Sequence, residues 1–107
     1  MRKNIVRRKE VGNILIKLEP TEELMARVVL DAIRERRRQE SKWGEQNHIP
    51  SYWYSILGEE FGEVGKEVNN YVFDNSDTDK YREELIQVAA VALAAVECLD
   101  RGKWNGN

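Results

Sequence analysis

Apolar positions recur with a helical period in three stretches of this chain. In the first, Leu24, Val28, Ala32 and Ile33 share one face. Thr21, followed by Glu22 and Glu23, supplies an N-cap and acids suited to the positive end of a helix dipole. The spacing predicts a helix from there to about Ser41, polar in its second half, with Gly44 marking its end. "WGEQNHIPSY" then reads as a loop, because Pro50 cannot sit inside a helix, and Ser51 is placed to cap the next one. A second helix is expected from about Ser51 to Phe73. The cap and turn residues of "DNSDTD" interrupt the pattern. A third helix, capped by Thr78 or Asp79, is expected to run to about Asp100, and "RGKWNGN" to fray. Residues 1–19 read differently. Ile14, Ile16 and Leu18 alternate with Leu15, Lys17 and Glu19 behind a Gly-Asn pair, which suits a short β-hairpin or extended arm. The expected organisation is therefore an N-terminal arm, residues 1–19, and an all-α domain, residues 20–107.

The middle of the second helix is unusual. "GEEFGEVGKEV", Gly58 to Val68, holds four glutamates and three glycines. At 100° per residue, Glu59, Glu63, Glu67 and Glu60 fall at about 0°, 40°, 80° and 100°. Trp53, Leu57, Phe61, Val64, Val68 and Tyr71 cover about 120° to 200°, and Gly58, Gly62 and Gly65 about 240° to 300°. The helix thus carries an acidic, an apolar and a glycine stripe. An interior glycine costs about 1 kcal/mol relative to alanine. Three on one side suggest that another backbone or a ligand comes close.

The third helix is apolar in every direction from Leu85 to Leu99. A helix of that kind is buried all round, and 107 residues in three helices hardly enclose one. Subunit contacts are therefore expected to help cover it, giving an antiparallel helical bundle completed by oligomerisation, as a dimer or a tetramer. Its first turns carry Glu83, Glu84 and Gln87, and the last two share a face.

Composition adds limits rather than identity. Apolar residues make up 41% and charged residues 34% of the chain, which suits a soluble globular domain. Residues 1–50 carry twelve Lys/Arg against eight Asp/Glu, and residues 51–107 five against eleven. The single cysteine, Cys98, excludes an internal disulfide and reads as a small buried hydrophobe, which fits a reducing cytoplasmic setting. The N-terminus lacks the apolar segment of a signal peptide, and the longest apolar run, Val88 to Val96, is too short to cross a bilayer. Arg2, Lys3, Arg7, Arg8, Lys9 and the "RERRR" stretch suit nucleic acid only in their charge. No P-loop, zinc pattern or recognition-helix signature accompanies them.

Close, partly buried carboxylates repel one another and lose hydration, so they demand a proton or a cation. Mg²⁺ is a hard ion that takes oxygen ligands, keeps several waters and draws others from substrate phosphates. Glutamates one turn apart, facing an acid on another helix, therefore suggest phosphate-ester chemistry inside a bundle.

"EEFGEV", then about twenty residues, then "REELIQVAAVAL" resembles the MazG-like all-α nucleoside triphosphate pyrophosphohydrolases, whose pattern is E-E-x-x-E followed by E-x-x-D. "RQESKWGEQNH" and "VECLDR" are similar to their short, single-domain, phage- or bacteria-type members. The likeness spans about residues 34–101. Glu59, Glu60 and Glu63 complete the first element; Glu84 opens the second, and Gln87 stands at its final aspartate. The resemblance implies an oligomeric helical fold and Mg²⁺-dependent cleavage (Mn²⁺ as a substitute) of an NTP or dNTP to the monophosphate and pyrophosphate. It implies Glu60, Glu63 and Glu84 as metal ligands, with Gln87 as a neutral ligand or outer partner. Glu59 would be a further ligand or the base that orients water. An amide at residue 87 brings no charge, so weaker metal binding is expected, with a catalytically weakened nucleotide-binding oligomer as the alternative reading. Lys42 for phosphate, Trp43 or Trp53 for base stacking, Gln46 or Asn47 for a base edge, and His48 are the candidate nucleotide contacts. Arg34, Arg37 and Arg38 would add positive potential.

Overall fold

A computed structural model describes residues 17–105; the expected hairpin or arm lies almost wholly outside the described residues. Three α-helices make up the fold: α1 (Glu23–Trp43), α2 (Pro50–Asp74) and α3 (Asp79–Asp100). Among the described residues there is no strand. None of the helices is long and apolar enough to cross a membrane.

The helix ends correct several sequence expectations. Thr21 does not cap α1. It lies inside a single 3-10 turn, Pro20–Glu22, that leads into the helix. Glu19 is the capping residue there, and its N–H donates to Glu22 Oε1 at 2.7 Å. Pro20 explains the shift, since its fixed φ suits the first helical position. The same rule places Pro50 at the first position of α2, with Ile49 as N-cap, so Ser51 lies inside the helix rather than before it. At the far end of α1, the Gly44 N–H donates to the Glu40 carbonyl at 2.7 Å, and Gly44 turns away with φ 75°.

The tail after α3 is folded back rather than frayed. Gly102 adopts φ 76°, its N–H donates to the Leu99 carbonyl at 3.0 Å, and the Lys103 N–H donates to the Cys98 carbonyl at 3.1 Å. This is the paired hydrogen-bond arrangement of a glycine-terminated helix. It brings the Lys103 carbonyl to 3.3 Å from Cys98 Sγ, so the thiol donates into the turn and is wholly buried.

α3 is the centre of the fold. It packs against both α1 and α2, while the backbones of those two do not come close to each other. The result is a slab with principal extents of 55 × 40 × 20 Å. α1 and α3 run roughly parallel, linked by the Arg82–Asp31 pair at 2.7 Å and the Arg36–Glu97 pair at 2.8 Å. α2 runs antiparallel to α3. The core is small: Trp53 meets Val91, Ala94 and Cys98, with Ile56, Leu57 and Ala95 packed around them. Ala90 and Ala94 let the helices approach across α3.

Two expectations about covered surfaces are not met within one chain. The outer side of α3 is open, with Leu93 42%, Val96 54% and Leu99 56% exposed. Among the described residues the glycine stripe of α2 also faces open space, since none of them lies within 4 Å of a Cβ added at Gly58, Gly62 or Gly65. A consequence can be measured. Gly58→Ala is expected to raise the unfolding free energy by about 0.5–1 kcal/mol in urea melts, because it removes backbone entropy without a clash. A loss instead would mean that a second chain reaches that surface.

Candidate functional site

Because α1 and α2 stand apart on α3, a cleft of about 340 Å³ opens between them. α3 forms its floor with Gln87, Val91 and Ala94. α1 supplies Arg36, Arg38, Gln39, Lys42 and Trp43; the connecting loop supplies Gly44 and Gln46; α2 supplies Trp53, Ile56 and Glu60. Lys42, Trp43, Gln46, Trp53, Glu60 and Gln87, named from the sequence as contacts or ligands, therefore meet in one cleft.

The other candidates lie elsewhere. His48 is set behind the cleft. Its ring packs on Tyr52 (centroids 4.6 Å apart) and edge-on to Trp53 (4.9 Å). Its Nε2 lies 3.1 Å from Gln46 Oε1. Glu59 and Glu63 are exposed on α2, outside the cleft lining, and Glu84 is half-buried one turn before Gln87.

The acids converge around Gln87. With its amide oriented to suit both neighbours, Gln87 Nε2 donates to Glu60 Oε2 and to Glu84 Oε2, each at 3.1 Å. Burial pushes the Glu60 carboxyl above its ordinary range, and repulsion from Glu63, Glu35 and Glu59 adds to that. Burial likewise raises Glu84, helped by Glu60, Glu63, Glu83 and Glu67. Two carboxylates thus share an amide crossbar in a field of further acids.

Among the described residues no group of three or more His, Cys, Asp or Glu is close enough to hold a metal ion. The donors that do meet, two carboxylates and the amide oxygen that Gln87 presents when turned, are all hard oxygens. They fit Mg²⁺ in kind, with two charges rather than three.

Positive charge in the cleft is mostly committed. Arg36 is held by Glu97 (2.8 Å) and Glu40 (2.8 Å), and Arg38 by Glu35 (2.7 Å). Lys42 is the cleft cation with no carboxylate partner among the described residues; its Nζ stands 4.9 Å from the Trp43 ring centroid. Arg34, expected to add positive potential, pairs with Asp31 at 3.3 Å.

Arg36 and Gln39 were not singled out from the sequence, though a signal was present. Ala32, Arg36, Gln39 and Trp43 recur at helical spacing and share a face. Their polarity disguised an inward-facing stripe.

The raised carboxyls have a pH consequence. Between the ordinary carboxylate value and the raised one, the folded chain binds more protons than the unfolded chain, so stability falls as pH rises through that window. Above it the repulsion is fully present. Glu84→Gln is therefore expected to raise the melting temperature more at pH 7.5 than at pH 4.5. Equal gains at both values would show that Glu84 is not held above its ordinary range.

No family model, curated protein or solved structure matches this chain.

Proposed function

We propose that this chain is a Mg²⁺-dependent nucleoside triphosphate pyrophosphohydrolase, releasing nucleoside monophosphate and pyrophosphate. One observation carries the reading. A stacking surface (Trp43), a cation without a carboxylate partner among the described residues (Lys42), a base-edge amide (Gln46), the acid Glu60 and Gln87 share one cleft, and Gln87 also reaches Glu84 just outside the lining. The resemblance of "EEFGEV" and "REELIQ" to the MazG-like pattern points the same way.

In this reading Trp43 stacks on the base and Trp53 forms the apolar back wall. Lys42 meets phosphate oxygens as a point charge. Glu60 and Glu84, with the Gln87 oxygen, would hold the metal, and Glu63, exposed one turn further along α2, would join them only by turning inward. When bound, the metal offsets phosphate charge and polarises the reacting phosphorus. Glu59, exposed beside Glu60 on α2, would have to turn toward the cleft to orient the attacking water, which adds to phosphorus as the pyrophosphate oxygen departs. The released proton passes to a carboxylate or to solvent. A second copy covers Leu93, Val96 and Leu99 in an oligomeric bundle. The buried free thiol of Cys98 suits a reducing, cytoplasmic setting.

The test is incubation with each NTP and dNTP, with and without Mg²⁺. Metal-dependent pyrophosphate release supports the proposal. A second reading, a nucleotide-binding oligomer without turnover, is favoured by the Gln87 crossbar, because its two hydrogen bonds satisfy Glu60 and Glu84 with no metal. No release from any nucleotide at high enzyme and high Mg²⁺ selects that reading.

Gln87→Asp separates the roles of the amide. It puts a third carboxylate where a donor now bridges two, so the variant is expected to melt below the wild type in chelator. It is also expected to bind Mg²⁺ about tenfold more tightly, since one more ligating charge is present. Calorimetry showing unchanged or weaker affinity would remove Gln87 from the metal set.

A further inference from the structure

The loop between α1 and α2 is fastened at one residue from two directions. The Arg101 guanidinium donates to the Gln46 main-chain carbonyl at 3.1 Å, and to Asn47 Oδ1 at 2.9 Å from Nη2 and 3.2 Å from Nε. Arg101 is itself held at the end of α3 beside Glu97, the same carboxylate that Arg36 grips. On the other side, the ring of His48 is packed against Tyr52 and Trp53, with Nε2 3.1 Å from Gln46 Oε1. In the tautomer that carries its proton on Nε2, the imidazole donates to the Gln46 amide oxygen and occupies it. What Gln46 has left to offer is its NH₂, a pure donor.

The place of Gln46 along the cleft says what that donor meets. Trp53 and Ala94 are each seven residues from Glu60 and Gln87 on their helices, so the loop end lies about 10 Å from the acid end. A nucleotide with its phosphates at the acids brings the far edge of its base, C4 of a pyrimidine or C6 of a purine, to the loop. At that edge uracil, thymine and guanine carry a carbonyl acceptor, whereas cytosine and adenine carry an amino donor.

We propose that Gln46 is a specificity-determining residue that selects keto over amino bases, with His48 and Arg101 as the positioning residues that hold its amide in one orientation. This inference rests on the nucleotide reading of the cleft and deepens it. A fixed donor donates to a carbonyl and is opposed by an amino group, which leaves two donors facing each other.

The probes are uridine 5′-monophosphate and cytidine 5′-monophosphate, which differ at that edge and require no turnover. Calorimetric titration of the whole chain with Mg²⁺ present is expected to show uridine monophosphate binding on the order of tenfold more tightly. Gln46→Glu puts acceptors where the donors were and is expected to reverse the preference. His48→Ala frees the amide to turn and is expected to flatten the ratio, while His48→Gln, whose side-chain amide can still donate to the Gln46 oxygen, is expected to keep it; an equal loss in both variants would show a loosened loop and overturn the positioning role. Equal wild-type affinities, or a preference for cytidine, overturn the inference while leaving the cleft as a nucleotide site. Binding of neither probe overturns the nucleotide reading itself, and this inference with it.

Discussion

Replacing Trp53 by alanine is expected to lower the unfolding free energy by about 3–5 kcal/mol, the largest stability effect of any single substitution foreseen for this chain. Trp53 is 6% exposed and is the one large ring in a core otherwise made of Val91, Ala94 and Cys98 with partly buried neighbours. It also braces the loop through the His48 ring. The indole Nε1 is buried with no hydrogen-bond partner. Trp53→Phe keeps the ring and removes that unsatisfied donor, so it is expected to cost much less than Trp53→Ala. Urea melts at one protein concentration check both. A loss below about 1 kcal/mol for Trp53→Ala would show that the core does not depend on this ring.

Glu60→Gln is expected to reduce metal-dependent pyrophosphate release by on the order of 100-fold or more, without loss of the fold. Glu60 is the acid that faces the cleft, touches Gln87 and belongs to the glutamate triplet of α2. Its carboxyl is raised by burial and by Glu63, Glu35 and Glu59, so a neutral amide relieves repulsion and the melting temperature should hold or rise. Activity and stability then move in opposite directions, which separates a functional acid from a structural one. Retained turnover in a folded Glu60→Gln variant would remove Glu60 from the metal set and break the proposed chemistry at its centre.

The three helices were legible because burial imposes a 3.6-residue period that needs no knowledge of partners. Ala32 on α1, and Trp53, Leu57 and Val64 on α2, show it directly, whereas Leu24 and Val28 keep the period but lie exposed, at 70% and 39%. Helix starts were less legible. Thr21 and Ser51 look like caps, but each follows a proline, and the fixed φ of proline sets the first helical position one residue earlier. The folded tail escaped notice because "RGKWNGN" has turn composition, while the Gly102 turn and the Cys98 thiol bonded to the Lys103 carbonyl are contacts made only in three dimensions.

For the site, residue types and helical angles put Glu59, Glu60 and Glu63 on one side of α2 and paired Glu84 with Gln87. They could not rank them. Glu60 faces the cleft while Glu59 and Glu63 are exposed outside it, because the 100° step per residue separates their directions around α2. His48 shows the same limit. Its chemistry suits a ligand contact, yet two aromatic neighbours turn its ring toward Gln46 instead.

What the sequence by itself determined is local: helical periods, turn residues, the charge on each face and the residue types on offer. The spacing between α1 and α2 was decided only by tertiary structure. Both helices pack on the small residues of α3 and their backbones do not come close to each other, so a cleft remains where a closed bundle would have none. Gathering Lys42, Trp43, Gln46, Glu60 and Gln87 into that cleft depends on how three helices cross. Crossing geometry arises from side-chain packing between distant segments, which no local pattern encodes.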